Sequence, residues 1–172
     1  MPINRLNHAV LYVRDADRSA EFYTSTLGFR RLPLEFPGAV FLQAEGSTND
    51  HDLGLFSVGA SAADSPAGRG AVGLYHLAWE VDTLADLARI GQVLSEAGAL
   101  VGATDHGSTK ALYGRDPDGI EFEVSWLVPA DLLDETTTPT ARRLDISAEI
   151  NRYGADTLGG VGVSRVSSPT PS

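Results

Sequence analysis

Two short segments of the chain follow a similar pattern: NHAVLYV at residues 7–13 and YHLAWEV at residues 75–81. Both copies have histidine in the second place and valine in the last, and His76 follows His8 by 68 residues. Their aliphatic and aromatic content is typical of β-strands. Self-similarity at a fixed spacing indicates a repeated structural unit, so we expect two related modules.

Each copy leads into the same order of predicted elements. An aspartate, Asp15 or Asp82, precedes a stretch with apolar residues at helical spacing, and a glycine, Gly28 or Gly98, ends it. Strand-like runs follow each helix, at residues 29–34, 40–44 and 53–58 in the first half and at 100–103, 111–115 and 120–127 in the second. The sequence therefore predicts an α+β fold of two βαβββ modules.

The two modules are assigned to one domain, residues 3–128. Module one covers residues 3–58 and module two covers 74–128, with a glycine-rich connection at 59–73 between them. The pattern ends after Trp126. Residues 129–172 are interpreted as a C-terminal extension with a short helix around 141–152, and the Gly, Ser and Pro content of 158–172 predicts disorder.

Composition limits the classes of partner. The 172 residues carry 13 basic and 23 acidic side chains, a formal charge of −10, which argues against nucleic acid or an anionic membrane as a partner. The absence of cysteine excludes disulfides and thiolate metal sites and favours a cytoplasmic location. The apolar runs are too short for a membrane span and the first residues show no apolar signal-peptide core, so one soluble globular domain is expected.

The four histidines are the main candidates for chemistry: His8, His51, His76 and His106. His8 and His76 hold matched repeat positions, so a two-fold arrangement of the modules could bring them together. Glu123 could complete a metal triad, because alternation along its strand places Phe122 and Val124 on the opposite face. The alternatives are hydrogen-bonded structural histidines and a solvent-facing Glu123.

The segment from Thr104 to Glu123, TDHGSTKALYGRDPDGIEFE, is the most informative in the chain. Its Asp-Pro-Asp-Gly run at 116–119 predicts a hairpin turn. The whole segment resembles the signature of type I extradiol ring-cleavage dioxygenases, within the vicinal oxygen chelate (glyoxalase/bleomycin resistance) superfamily. His106 and Tyr113 narrow the resemblance to the ring-cleaving enzymes, and it extends over about residues 3–127.

This resemblance implies a half-barrel around a metal site. His8, His76 and Glu123 would bind Fe(II), with Mn(II) accepting the same ligands, and the substrates would be a catechol-type aromatic diol and O2. His51 would be the acid–base residue, His106 would donate a hydrogen bond to a substrate oxygen, and Tyr113 would steady the ionised oxygen. The open sheet edges predict a homo-oligomer, at least a dimer.

Three alternatives remain open at this point. A glyoxalase-like isomerase would use a further glutamate on the last strand of module one, where the 68-residue offset places Leu55. A phosphonate-directed thiol transferase would need basic residues, but Lys110 is the single lysine. A metal-free drug-binding or aromatic-binding protein would leave the histidines unexplained. Asp52 and Asp105 are interpreted as solvated loop acids, with orientation of an imidazole as the other possibility.

Overall fold

The computed structural model describes residues 2–3, 5–68, 70–133 and 137–160. The chain divides into two compact units, with the boundary between Gly73 and Leu74 and with Asp116–Ile120 belonging to the first unit. The mixture of helices and sheets confirms the α+β class. The assignment of both modules to one domain stays a prediction. The disorder predicted for residues 158–172 is wrong at Gly159 and Gly160, whose amides donate to the carbonyls of Asp82 and Leu127, and residues 161–172 lie outside the described residues.

The first unit is built on a sheet with the strand order β1–β4–β3–β2. Its strands are β1 (Ala9–Val13), β2 (Arg30–Arg31), β3 (Ala39–Gln43) and β4 (Leu53–Ser57). β1 and β4 are parallel, and the other neighbours are antiparallel. The predicted strand at 29–34 is shortened to two residues. Pro33 explains this, because it has no amide hydrogen to donate to the ladder.

Helix α1 (Ala16–Leu27) follows β1, and both of its predicted ends are confirmed. The Asp15 carboxylate accepts hydrogen bonds from the amides of Asp17 and Arg18, and Gly28 adopts a positive φ of 75° at the other end. Tyr23 of the helix is buried with sheet residues such as Leu42 and Leu55. Burial of this apolar face is the main stabilising term of the unit.

The second unit has a sheet with the strand order β5–β8–β7–β6–β9. The strands that match module two are β5 (Leu77–Glu80), β6 (Leu100–Asp105), β7 (Thr109–Arg115) and β8 (Glu121–Leu127). Helix α2 (Leu84–Glu96) begins after Thr83, whose hydroxyl accepts a hydrogen bond from the Asp86 amide. Asp82, the aspartate expected to begin this helix as its N-cap, lies one residue before the observed cap, so that expectation is wrong by one residue.

The C-terminal extension adds to the second unit. Strand β9 (Arg142–Arg143) pairs with β6, and helix α3 (Ile146–Tyr153) begins after Asp145. The helix predicted around 141–152 is thus correct in type but starts later, because its first residues pair as a strand and Asp145 caps the helix through the Ala148 amide. None of the helices formed by the described residues has the length and apolar composition needed to cross a membrane.

Strand pairing corrects the internal equivalence of the two modules. Glu123 of β8 pairs with Ala78, while Val10, which precedes Ala78 by 68 residues, pairs with Gly54. The residue equivalent to Glu123 is therefore Gly54 and not Leu55, since module two contains one additional residue before its last strand. Neither residue supplies a carboxylate at this position of module one.

The turn at Asp116–Gly119 is fixed by a buried carboxylate. Asp116 Oδ1 accepts hydrogen bonds from the amides of Asp118 (2.9 Å) and Ile120 (2.8 Å), and the Tyr23 hydroxyl donates to Oδ2 at 3.2 Å. Burial raises the pKa of Asp116 although these amides stabilise its charged form. Gly119 closes the turn with a φ of 80°, which confirms the predicted hairpin.

We expect Asp116→Ala to lower the free energy of unfolding by roughly 2–4 kcal/mol, because each buried donor left without a partner costs about 1–3 kcal/mol. Urea denaturation measures the change. Glu45→Ala is the control, since Glu45 is an exposed acid. A change no larger than that of the control would show that the carboxylate does not hold the turn.

Candidate functional site

Two of the candidate histidines lie side by side in the first unit. The rings of His8 and His51 have centroids 4.4 Å apart, and His51 also lies against Phe41 at 5.2 Å. His8 Nδ1 is 2.7 Å from the side-chain oxygen of Asn7. His8 directly precedes β1 and His51 precedes β4, so the parallel pairing of these strands brings the two imidazoles together.

The loop that carries His51 is organised by Asp52. This side chain is buried and accepts hydrogen bonds from the Ala44 amide (2.8 Å), the Ser47 hydroxyl (2.7 Å) and the Asn49 amide group (2.7 Å). The interpretation of Asp52 as a solvated loop acid is therefore wrong. Its neighbour His51 gains a fixed backbone, because the loop cannot move without breaking these bonds.

Asn49 is a site residue that the sequence analysis missed. Its Nδ2 donates to the Asn7 carbonyl at 2.7 Å and to Asp52 Oδ1 at 2.7 Å. The Asn49 side chain thereby joins the segment that carries His8 to the loop that carries His51. The signal in the sequence is weak, since an asparagine in a polar loop is ordinary.

An aromatic surface adjoins His51. It consists of Phe36, Phe41 and Phe56, with ring centroids 5.8 Å apart for Phe36 and Phe56 and 5.9 Å apart for Phe41 and Phe56. The edge-to-face geometry is the arrangement that aromatic rings prefer. Phe36 is exposed and the other two rings are half-buried, so this surface can receive a further apolar group.

The second unit brings His76 and Glu123 together. His76 Nε2 is 3.2 Å from Glu123 Oε2, and only 12% of the Glu123 side chain is exposed. Phe122 and Val124 are buried on the opposite face, as alternation predicted. The reading of Glu123 as a solvent-facing residue is therefore wrong. His76 Nδ1 is buried and has no hydrogen-bond partner among the described residues.

His106 and Tyr113 form a second pair in this unit. His106 Nε2 lies 2.9 Å from the Tyr113 hydroxyl, and Nδ1 lies 3.1 Å from the Thr140 carbonyl oxygen. The ring of His76 has its centroid 5.7 Å from that of Tyr113. Tyr113 is also directly opposite Glu123 in the β7–β8 ladder, so the hairpin register places the two pairs next to each other.

Burial raises the pKa of Tyr113 to about 12, and the negative charge of Glu123 acts in the same direction. The phenol is therefore a neutral hydrogen-bond donor at physiological pH.

Asp105, which precedes His106, was interpreted as a solvated loop acid. This interpretation is wrong, because the Asp105 carboxylate forms an ion pair with Lys110 at 2.6 Å.

The predicted triad is divided between the units: His8 belongs to the first, and His76 and Glu123 belong to the second. Within the described part of the chain, no group of three or more His, Asp or Glu side chains is arranged to hold a metal ion. What the structure does bring together is one imidazole and one carboxylate. The full triad stays a prediction.

The fold and these side chains define an α+β protein of two related βαβββ units with histidines at matched positions. A profile of the Glyoxalase/Bleomycin resistance protein/Dioxygenase superfamily matches residues 5–124. The chain belongs to this superfamily, which confirms the resemblance drawn from the sequence.

Similar proteins of known name include two dioxygenases. A catechol-2,3-dioxygenase of Bacillus subtilis (strain 168) is 33% identical over 119 residues, which are 69% of this chain and 40% of that protein. The chain thus spans less than half the length of this relative. A biphenyl-2,3-diol 1,2-dioxygenase 3 of Rhodococcus globerulus is 30% identical over 158 residues, which are 90% of this chain and 75% of that protein.

Among solved structures, a glyoxylase/bleomycin resistance protein/dioxygenase domain from Frankia sp. EAN1pec is similar, with a TM-score of 0.58 and 25% identity. The match covers 72% of this chain and 98% of that one.

Because of its raised pKa, we expect Tyr113 to remain protonated at about pH 10, where an ordinary tyrosine is half ionised. Phenolate absorbance of the metal-free protein minus that of Tyr113→Phe measures this, with N-acetyltyrosinamide as the reference. A difference of half a phenolate at that pH would contradict the expectation.

Proposed function

We propose that the chain catalyses extradiol cleavage of a catechol-type aromatic diol by O2 at a non-haem Fe(II) centre. The observation that supports this best is the cluster in the second unit. His106 meets Tyr113, His76 meets Glu123, and the β7–β8 hairpin places Tyr113 opposite Glu123. The dioxygenase names of the two relatives support the same reaction class.

The residues present fit a metal. His76 has a buried ring nitrogen without a partner and a carboxylate beside it, and imidazole with carboxylate is the donor chemistry of non-haem Fe(II) sites. In the proposal His8 is the second imidazole. Two histidines and one carboxylate leave positions open for substrate and O2, and the bound Fe(II) would activate both; Mn(II) accepts the same ligands.

The proton transfers are assigned to the protein. His51 is suited to take a proton from the substrate and to return it, since histidine is the side chain most often used for proton transfer, and the fixed loop around Asp52 keeps it in place. Tyr113, neutral at physiological pH, would donate a hydrogen bond to an ionised substrate oxygen. The aromatic surface at Phe41 offers an apolar contact for the substrate ring.

The superfamily also includes glyoxalases and bleomycin-resistance proteins, as its name states. A glyoxalase-like reaction would need a further carboxylate on β4, and Gly54 and Leu55 supply none.

Assembly into a homo-oligomer, at least a dimer, is proposed together with the enzymatic function and rests on the open sheet edges.

The protein loaded anaerobically with Fe(II) should consume O2 when a catechol is added and should form a yellow ring-opened product. His51→Phe should lower turnover by about 10²–10⁴-fold, which is the typical contribution of a positioned acid–base group. An oxygen electrode and absorbance spectroscopy follow the reaction, and Glu45→Gln is the exposed control. If iron is bound and neither monocyclic nor bicyclic catechols cause oxygen uptake, the proposed function is wrong.

Metal binding is tested separately from turnover. Loss of a residue that only supports a metal ligand typically weakens metal binding by about 10–100-fold. We expect His76→Ala and Glu123→Ala, which remove proposed ligands, to weaken Fe(II) or Mn(II) binding by more than this. Isothermal titration calorimetry under anaerobic conditions measures this. His106→Gln is the matched control, since it removes an imidazole that lies outside the proposed ligand set. Unchanged binding in the His76 and Glu123 variants would contradict the ligand assignment.

A further inference from the structure

The single lysine of the chain is buried where the proposed reaction does not use it. Lys110 lies on β7 with only 1% of its side chain exposed. Its Nζ is 2.6 Å from Asp105 Oδ1 and 3.0 Å from Glu149 Oε2. A lysine is almost never buried unless it is paired, so these two carboxylates account for its position.

The two carboxylates come from different parts of the second unit. Asp105 ends β6 and directly precedes His106, whereas Glu149 lies on α3 in the C-terminal extension. Lys110 therefore joins the extension to the strand that leads into the candidate site. Tyr153, also on α3, places its ring against Lys110 Nζ, with the ring centroid 5.7 Å away.

Asp105 is adapted to remain charged in this cluster. Burial alone would raise its pKa, but hydrogen bonds from Lys110 and from the Gly107 amide outweigh burial, and the pKa lies below its usual value. Strand pairing also connects β6 to the extension, because Asp105 pairs with Arg142 of β9. The Lys110–Glu149 ion pair and the β6–β9 ladder thus hold two neighbouring parts of the extension, α3 and β9.

The extension meets the candidate site at two backbone carbonyls. A Cβ atom on Gly107 would lie 2.5 Å from the Thr138 carbonyl oxygen, so only glycine permits this approach. Thr140 then places its own carbonyl oxygen 3.1 Å from His106 Nδ1. Thr140 lies just before β9. The pairing of β9 with β6 therefore fixes the position of Thr140 relative to the end of β6, where His106 follows.

The Thr140 contact determines the hydrogen positions on His106. A carbonyl oxygen can only accept, so the ring must carry its proton on Nδ1 to form this bond. In the neutral ring Nε2 then has no proton and accepts a hydrogen bond, and the Tyr113 hydroxyl, 2.9 Å away, is its donor. In the substrate-free site the phenolic proton is thereby directed toward His106 Nε2, in competition with the Glu123 carboxylate, which also accepts from this hydroxyl.

We propose that the C-terminal segment 137–160 is a positioning element of the candidate site, in which the Thr140 carbonyl holds His106 as the Nδ1–H tautomer and the Lys110 ion pairs keep the segment docked. The inference rests on the proposed function only in treating His106 and Tyr113 as site residues. It differs from the role that the family resemblance implies, since the neutral His106 ring accepts at Nε2 where donation was expected.

The tautomer is tested directly on the unmodified protein. Long-range ¹H–¹⁵N correlation spectra at neutral pH distinguish Nδ1–H from Nε2–H histidine, and His106→Gln assigns the signal. The expected result is that the neutral form of the His106 ring carries its proton on Nδ1. A ring that is mainly in the Nε2–H form overturns the proposal.

The docking of the segment is tested with Glu149→Ala, and Glu45→Ala is the matched control at an exposed acid. Because Lys110 is the only lysine, an amine-reactive reagent followed by peptide mass spectrometry reports on its side chain alone. We expect Glu149→Ala to increase the labelling rate of Lys110 by roughly tenfold or more and Glu45→Ala to leave it unchanged, since loss of one partner of a buried ion pair shifts a local opening equilibrium by at least that order.

The tautomer signal in Glu149→Ala separates positioning from general stability. The proposal expects the Nε2–H form of His106 to appear in this variant, and Glu149→Asp to restore the wild-type spectrum in part. Faster labelling without a tautomer change would show that the segment docks but does not position His106. Neither readout depends on turnover, so loss of the proposed dioxygenase activity would leave this result interpretable.

Discussion

The register between β7 and β8 is the constraint on which the second unit depends. A buried carboxylate, Asp116, satisfies two backbone amides and so defines the turn that closes this hairpin. With that turn in place, Tyr113 stands opposite Glu123, and Phe122, Val124 and Trp126 enter the core. A slip of one residue would exchange the two faces, moving the Glu123 carboxylate into the apolar core and the apolar side chains out of it.

In the first unit, polar contacts within loops position the histidines. Asp52 and Asn49 hold the residues before β1 and β4, so that His8 and His51 lie together at the end of the parallel strand pair. Buried polar groups of this kind stabilise only when they are satisfied, and the donors to Asp52 satisfy it. The imidazoles therefore sit on fixed backbone beside an aromatic surface.

The sequence predicted more of the fold than of the contacts within the candidate site. The repeat, the cap at Asp15, the hairpin turn and the alternation around Glu123 are signals of neighbouring residues, and the structure confirms them. Pro33 and Thr83 shift element ends by one or a few residues, because small local preferences compete there. The equivalence of Glu123 with Gly54 depends on one additional residue between strands, which a fixed offset cannot detect.

The sequence by itself determined the α+β class, the two modules and the short set of side chains capable of chemistry. These follow from periodicity, turn residues and residue types, which act over a few positions along the chain. Only the tertiary structure decided that Lys110 is buried between two carboxylates, that Asp52 organises a loop, and that Thr140 meets His106. Those contacts join residues far apart in the chain or depend on burial, and strand register and packing together determine them.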